Sequence, residues 1–206
     1  MTGWYTRFGK RCFDLLAGMV LFVVTLPILA IVGLLVRIKL GRPVLFRQER
    51  PGLGGQSFTL AKFRTMLPAT STTVTSQDDA ARMTGFGRAL RSTSLDELPE
   101  LYSVIKGDMS LVGPRPLLVE YLPRYSPEQA RRHEVRPGIT GWAQVNGRNA
   151  VDWPERLAMD VWYVDHQSFG LDLSILWRTV RAVFRREGTS AEGQATMAPF
   201  EGNDPG

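Results

Sequence analysis

The chain has 206 residues, of which 44% are hydrophobic, 10% aromatic and 22% charged. That composition excludes wholesale disorder and collagen-like or low-complexity architecture, and a single cysteine, Cys12, excludes a disulfide framework or a multi-thiolate metal centre. The net charge of +5 is concentrated at one end: residues 1–50 hold eight Lys/Arg against Asp14 and Glu49, so the remainder is close to neutral. A nucleic-acid-binding face spread over the chain is therefore excluded and no nucleic acid partner is expected.

Residues 15–36 form an uncharged run, LLAGMVLFVVTLPILAIVGLLV. A straight helix of that length covers about 33 Å at ~1.5 Å per residue, enough for a bilayer core. Pro27 falls near its middle and removes a backbone hydrogen bond; Thr25 is placed to bond a carbonyl one turn back. Arg7, Lys10 and Arg11 precede the run, and Arg37, Lys39 and Arg42 follow it. Both ends thus favour the cytoplasm, which predicts a helix broken at Pro27 that enters and leaves by one leaflet; a kinked helix crossing the bilayer is the alternative.

Beyond Gly41 the sequence predicts a compact domain. Residues 44–48 and 57–63 are β-type runs around a Pro/Gly-rich turn, a hairpin signal. Residues 69–77 (ATSTTVTSQ) predict a surface loop. Helices are expected over 80–91 and 98–105, with a helix start at Ser126. Residues 171–186 are amphipathic, with Leu173, Leu176, Val180, Val183 and Phe184 opposed to Arg178, Arg181, Arg185 and Arg186. That pattern suits an anionic lipid surface or a solvated face packed on the domain. The tail from Gly188 is polar and Gly/Pro-rich, so loose attachment is expected. The predicted fold is α+β: a membrane segment over 1–40, a mostly helical cytosolic domain with a small β-hairpin over 41–187, and a tail over 188–206.

The densest chemistry lies at Asp96 and Glu97. Ser94 followed by Glu97 is a capping-box pattern, and Asp96 could equally be a helix N-cap. A helix start also gathers unpaired N–H groups where a phosphate binds. An aspartate there suits a hard-oxygen ligand for Mg²⁺ or a nucleophile towards phosphorus, kept ionised by the same field. Arg115 is fixed between Pro114 and Pro116, a rigid guanidinium suited to a phosphate or base edge, or to a core carboxylate. Residues 136–149 read as a donor-rich binding loop that includes Gln144 and Arg148.

Together these stretches resemble the bacterial sugar transferase family, the small monotopic phosphoglycosyl transferases. The resemblance rests on KRCFD at 10–14, RPG at 50–52, KFRTM at 62–66, SLDEL at 94–98, KGDMSLVGPRP at 106–116 and residues 136–149 in order. LLVEY at 117–121 and EGQATMAPF at 192–200 suggest closeness to enzymes using UDP-N,N′-diacetylbacillosamine or a related sugar. The resemblance implies transfer of a sugar 1-phosphate from a UDP-sugar to undecaprenyl phosphate on the cytoplasmic face of the inner membrane, among its lipids, with Mg²⁺. It implies Asp96 as nucleophile and magnesium ligand, Glu97 as its partner, and Arg115 in the Pro114–Pro116 turn as a nucleotide contact. Lys62 and Arg91 are expected to position phosphates or Asp96. The family kinks its re-entrant helix at a Ser-Pro pair, where this chain has Leu26-Pro27.

Two other functions fit parts of the pattern: a membrane-bound hydrolase working through an aspartyl phosphate, and a non-catalytic membrane adaptor. Among the remaining residues, His133 is expected on a surface helix, His166 at a turn, and Cys12 as a buried small hydrophobe. Trp142, Trp153, Trp162 and Trp177 are expected as core or interfacial anchors. Asp108 and Asp160 remain open between metal and backbone.

Overall fold

The computed structural model describes residues 3–68, 82–147, 151–185 and 199–202. The expected loop at 69–77, Arg148 and most of the tail lie outside them. After a wide helical turn at Tyr5–Gly9, α1 runs as one helix from Lys10 to Lys39. A hairpin follows, β1 (Leu45–Pro51) against β2 (Ser57–Phe63), with Phe46 opposite Lys62 and Arg50 opposite Phe58. Next come α2 (Gly85–Ser92), a single 3₁₀ turn at Leu95–Glu97, α3 (Glu100–Lys106) and β3 (Ser110–Val112). The one-turn α4 (Pro127–Ala130), β4 (Gly138–Thr140), α5 (Trp142–Asn146), α6 (Trp153–His166) and α7 (Phe169–Arg185) complete the chain. The fold is α+β and mostly helical, as expected.

The helix is not interrupted at Pro27. Proline there deprives the Val23 carbonyl of its N–H donor. Thr25 Oγ1 donates one turn back, to Leu21 O at 2.7 Å and Phe22 O at 3.2 Å, a contact that bends helices without breaking them. One stripe of α1 faces the domain along its whole length. Phe13, Ala17 and Phe22 pack on the core of Leu101, Val104, Met109 and Leu111. Val32, Val36 and Leu40 pack with Phe63 and Leu90. Gly18 brings α1 close to α3, since a Cβ there would lie 3.1 Å from Val104. The opposite stripe, including Leu16, Val20, Val24, Ile31, Leu34 and Ile38, is exposed and apolar. By length and composition the helix is sufficient to cross a membrane, yet both its halves are docked on one body.

A buried polar cluster locks the amino-terminal half. Lys10 Nζ lies 2.7 Å from Asp172 and 3.4 Å from Asp14. Asp172 also accepts hydrogen bonds from Tyr5 and, at 2.7 Å, from Tyr163, while Asp14 accepts from the Leu111 backbone N–H at 3.1 Å. Arg11 donates to Val104 O at 2.7 Å and Ile105 O at 3.0 Å, covering the carbonyl end of α3.

Residues 136–147, the described part of the expected binding loop, are more ordered than a loop. Their first part is β4, which pairs in parallel with β3 (Ser110↔Gly138, Val112↔Thr140), and their second is α5. The two strands approach too closely for side chains: a Cβ on Gly138 would sit 2.1 Å from Gly113 N. His133 is buried rather than on the surface, and burial together with Arg132 pushes its imidazole down to about 4. Cys12 is exposed, not buried, because its position on α1 faces away from the domain. His166 Nδ1 lies 2.8 Å from Trp162 O. Phe200 departs from the loose-tail expectation: it is buried among Tyr121, Tyr125 and Trp153, and Arg124 holds its carbonyl.

Candidate active site

Asp96 and Glu97 sit on the 3₁₀ turn between α2 and α3. The chain reverses into it at Ser94, whose φ of 54° is left-handed for a non-glycine residue. This conformation lets Leu95 pack with the carboxy-terminal half of α1 and Leu98 with the core that holds its amino-terminal half. The pair is thereby carried between the two docked halves of the membrane-type helix. Neither capping role holds. Ser94 makes no side-chain cap, and α3 starts only at Glu100 after an uncapped Pro99.

Glu97 Oε1 accepts from Arg115 Nη2 at 2.6 Å. Arg115 thus meets a carboxylate, but that carboxylate belongs to the pair itself. Its turn is rigid from both sides: Pro114 and Pro116 are buried, Gly138 N donates to Pro114 O at 3.0 Å, and Arg132 donates to Arg115 O at 2.7 Å. Arg132 is in turn held by buried Asp160 at 2.7 Å. Asp160 is therefore an ion-pair residue, and Asp108 pairs with Lys106 at 2.8 Å.

Asp96 is buried, and among the described residues no hydrogen bond reaches its carboxyl. Burial and then Glu97 raise its pKa, while Lys62, Arg91 and Arg115 pull the other way. The expectation that its surroundings simply keep it ionised is corrected in direction, because desolvation outweighs the cations. For Glu97, burial acts upward, but Arg115, Lys62 and Arg91 together hold it below the usual carboxylate range. Lys62 points from the inner face of β2 with its Nζ 5.9 Å from the Phe46 ring centroid. Burial and Arg115 lower its pKa, and the two carboxylates oppose that. Arg91 donates to Thr65 Oγ1 at 3.1 Å and to Met66 Sδ at 3.5 Å.

The structure thus gathers Asp96, Glu97, Lys62, Arg91 and Arg115. Gln144 lies on α5, where its amide nitrogen points to Ile139 O at 3.4 Å beside Gly141 and its buried Oε1 has no hydrogen-bond partner among the described residues. Arg148 lies outside the described residues. Two neighbours escaped the sequence reading. Glu100 is buried one turn beyond Glu97; burial, then Glu97, pushes its carboxyl up to about 8. Arg50 faces the same interior from β1. Burial and Arg115 lower its pKa. Arg50 opens the RPG motif itself and Glu100 follows the SLDEL motif by two positions, but no spacing rule distinguishes a buried glutamate from an exposed one.

Among the described residues no group of three or more His, Cys, Asp or Glu side chains could hold a metal. Mg²⁺ usually takes one or two protein carboxylates and completes its shell with water and substrate phosphates. Asp96 and the second oxygen of Glu97 fit that pattern of binding.

An apolar helix is thus laid along the domain, over a buried carboxylate pair with Lys62, Arg91 and Arg115 around it. Residues 5–186 match the family model described as bacterial sugar transferase, and the chain belongs to that family. It is 53% identical over 194 residues to the uncharacterized sugar transferase EpsL of Bacillus subtilis, covering 94% of this chain and 96% of that protein. It is 42% identical over 183 residues to the UDP-glucose:undecaprenyl-phosphate glucose-1-phosphate transferase of Caulobacter vibrioides (83% of this chain, 68% of that one). The undecaprenyl-phosphate galactose phosphotransferase of Salmonella typhimurium is 36% identical over 200 residues, which cover 89% of this chain and 42% of that longer protein.

Proposed function

We propose that this protein transfers a sugar 1-phosphate from a UDP-sugar to undecaprenyl phosphate and so starts assembly of a bacterial glycan. The observation that carries the reading is Asp96: a buried carboxylate ringed by Lys62, Arg91 and Arg115 yet bonded to none of the described groups. In the first step an Asp96 oxygen attacks the β-phosphorus, the bond from that phosphorus to the bridging oxygen breaks, and UMP leaves with the bridging oxygen. In the second, an oxygen of the lipid phosphate attacks the same phosphorus and Asp96 departs as carboxylate, leaving an undecaprenyl-diphosphate sugar. Neither step requires a strong general acid; both require neutralised charge and in-line placement. Glu97, clamped by Arg115, stays ionised to orient the cations. Mg²⁺ held by Asp96 and Glu97 would neutralise phosphate charge.

The lipid acceptor explains the apolar helix. Docking of both halves of α1 on one domain, with basic residues at both ends, supports a re-entrant segment on the cytoplasmic face of the inner membrane. α7 adds Phe169, Leu173, Trp177 and Val180, all exposed, beside Arg178, Arg181 and Arg185. In a Cys12→Ser background, cysteines at Gly3 and Arg42 are expected to label from the cytoplasmic side alone; labelling from opposite sides contradicts the topology.

The relatives' names carry glucose and galactose, so the sugar, whether N,N′-diacetylbacillosamine or another, follows from pocket contacts rather than from family membership. The test is UMP release across a panel of UDP-sugars with polyprenyl phosphate and Mg²⁺. At least one donor is expected to give UMP and a lipid-linked sugar, abolished by chelation. Free sugar 1-phosphate without lipid product would favour the hydrolase, and no UMP from any donor would favour the adaptor.

A further inference from the structure

Side chains alternate along a strand, so Phe46, Gln48 and Arg50 share one face of the hairpin with Phe58, Leu60 and Lys62. Phe58 and Leu60 turn that face into the core. Gln48 and Arg50 therefore continue the row that begins at Lys62 beside the carboxylate pair. Arg50 is held: its Nη2 donates to Gln48 Oε1 at 2.7 Å. Its Nε is buried and has no hydrogen-bond partner among the described residues.

A buried, unused N–H is costly and calls for an acceptor. Arg115 is close enough to lower the Arg50 pKa, and Arg115 itself is committed to Glu97. Glu100 acts on both guanidiniums; burial, then Glu97, push its carboxyl up to about 8, while Arg115 and Lys62 pull the other way. Glu120 and Tyr121 also act on Arg50, but Glu120 is exposed to solvent. Arg50 thus carries a buried N–H with no acceptor among the described residues, on the face of the hairpin that leads to Lys62 and the carboxylate pair.

We propose that Arg50 is a donor-binding residue whose guanidinium, together with that of Arg115, receives the phosphate that departs as UMP. The assignment rests on the transferase reading and names the charged group of the donor that this part of the site recognises. A guanidinium fork offering Nε and a terminal nitrogen matches two phosphate oxygens. Gln48 holds the fork in place, and the hairpin carries both residues on one rigid face.

The full chain in detergent or nanodiscs serves as the sample, and uridine, UMP and UDP serve as probes by calorimetry. Loss of a charged hydrogen-bond donor to phosphate is worth roughly tenfold or more in affinity. Arg50→Gln is therefore expected to weaken UMP and UDP at least about tenfold while uridine affinity stays within about twofold. The KM for an active UDP-sugar should rise similarly with kcat less affected, and Arg50→Lys should recover part of the loss. A merely structural brace would weaken uridine and UMP alike and lower Tm, and that result overturns the proposal, as does unchanged UMP affinity. Should Arg50→Gln fail to fold, Gln48→Ala carries the test: it frees Nη2 and should weaken UMP but not uridine. Wild-type protein that binds UMP but releases none from any UDP-sugar sinks the transferase reading while leaving the Arg50 measurement decisive; wild-type protein that binds no UMP sinks both.

Discussion

Asp172 and Asp96 are both buried aspartates, and they are built for opposite purposes. Asp172 is fully occupied: Tyr5, Lys10 and Tyr163 all direct polar hydrogens at it, and through them it ties α1 to α6 and α7. Asp96 has Lys62, Arg91 and Arg115 around it, but no hydrogen bond among the described residues. A buried carboxylate with both oxygens engaged is a rivet; one with no hydrogen bond to the described groups can form a new bond. Spending donors on the first and withholding them from the second lets one small domain hold a membrane-type helix and still present a reactive oxygen beside it.

The contrast can be broken from either side. Asp96→Asn is expected to lower turnover by about 10³-fold or more while leaving Tm nearly unchanged, because no hydrogen bond is lost; a large drop in Tm would make Asp96 a second rivet. Asp172→Ala should do the reverse. Removing the nearer partner of buried Lys10, which keeps only the 3.4 Å contact with Asp14, and leaving the Tyr5 and Tyr163 hydroxyls without their acceptor costs up to about 3–5 kcal/mol, which thermal unfolding in detergent would read as a large fall in Tm. Arg115→Ala should raise the KM for the donor roughly tenfold or more through the lost charged contact.

Smaller effects come from pH. Asp96 reacts as its carboxylate, so activity should rise with pH through a value above the ordinary 3.8. Because Lys62 pulls that value down, Lys62→Met should move the acid limb to higher pH. Glu100 has its pKa raised from 4.5 to about 8 in the folded protein. The folded state therefore holds an extra proton between those values, and this contribution to stability is fully present below pH 4.5 and lost as pH rises through about 8. Glu100→Gln should flatten the fall of Tm with pH across that window; an unchanged slope would show that Glu100 does not titrate there.

Much of this arrangement is legible in the sequence where the signal is local. The uncharged run over 15–36 announces α1, the Pro/Gly turn announces the hairpin with β2 at its predicted bounds, and Asp-Glu and Pro-Arg-Pro, picked out separately in the sequence, meet through the Arg115–Glu97 pair of the candidate site. Ser94 shows the limit of local rules: a capping-box spacing is present, but the chain needs a left-handed turn there to seat Leu95 and Leu98, and tertiary packing overrides the cap. The β3–β4 pair was not legible, since three-residue strands joined in parallel across some 25 positions carry no periodicity. Nor was Asp172, whose partners Tyr5 and Lys10 lie at the opposite end of the chain. Phe200 is buried by aromatic neighbours from two separate segments, which a polar tail composition conceals.

The most direct measurement is intact-protein and peptide mass spectrometry of the enzyme quenched with an active UDP-sugar in the absence of lipid acceptor. A mass increase equal to one phosphosugar, mapped to Asp96 and discharged on adding polyprenyl phosphate, is the predicted result. Release of UMP with no adduct on Asp96, or an adduct on another residue, contradicts it.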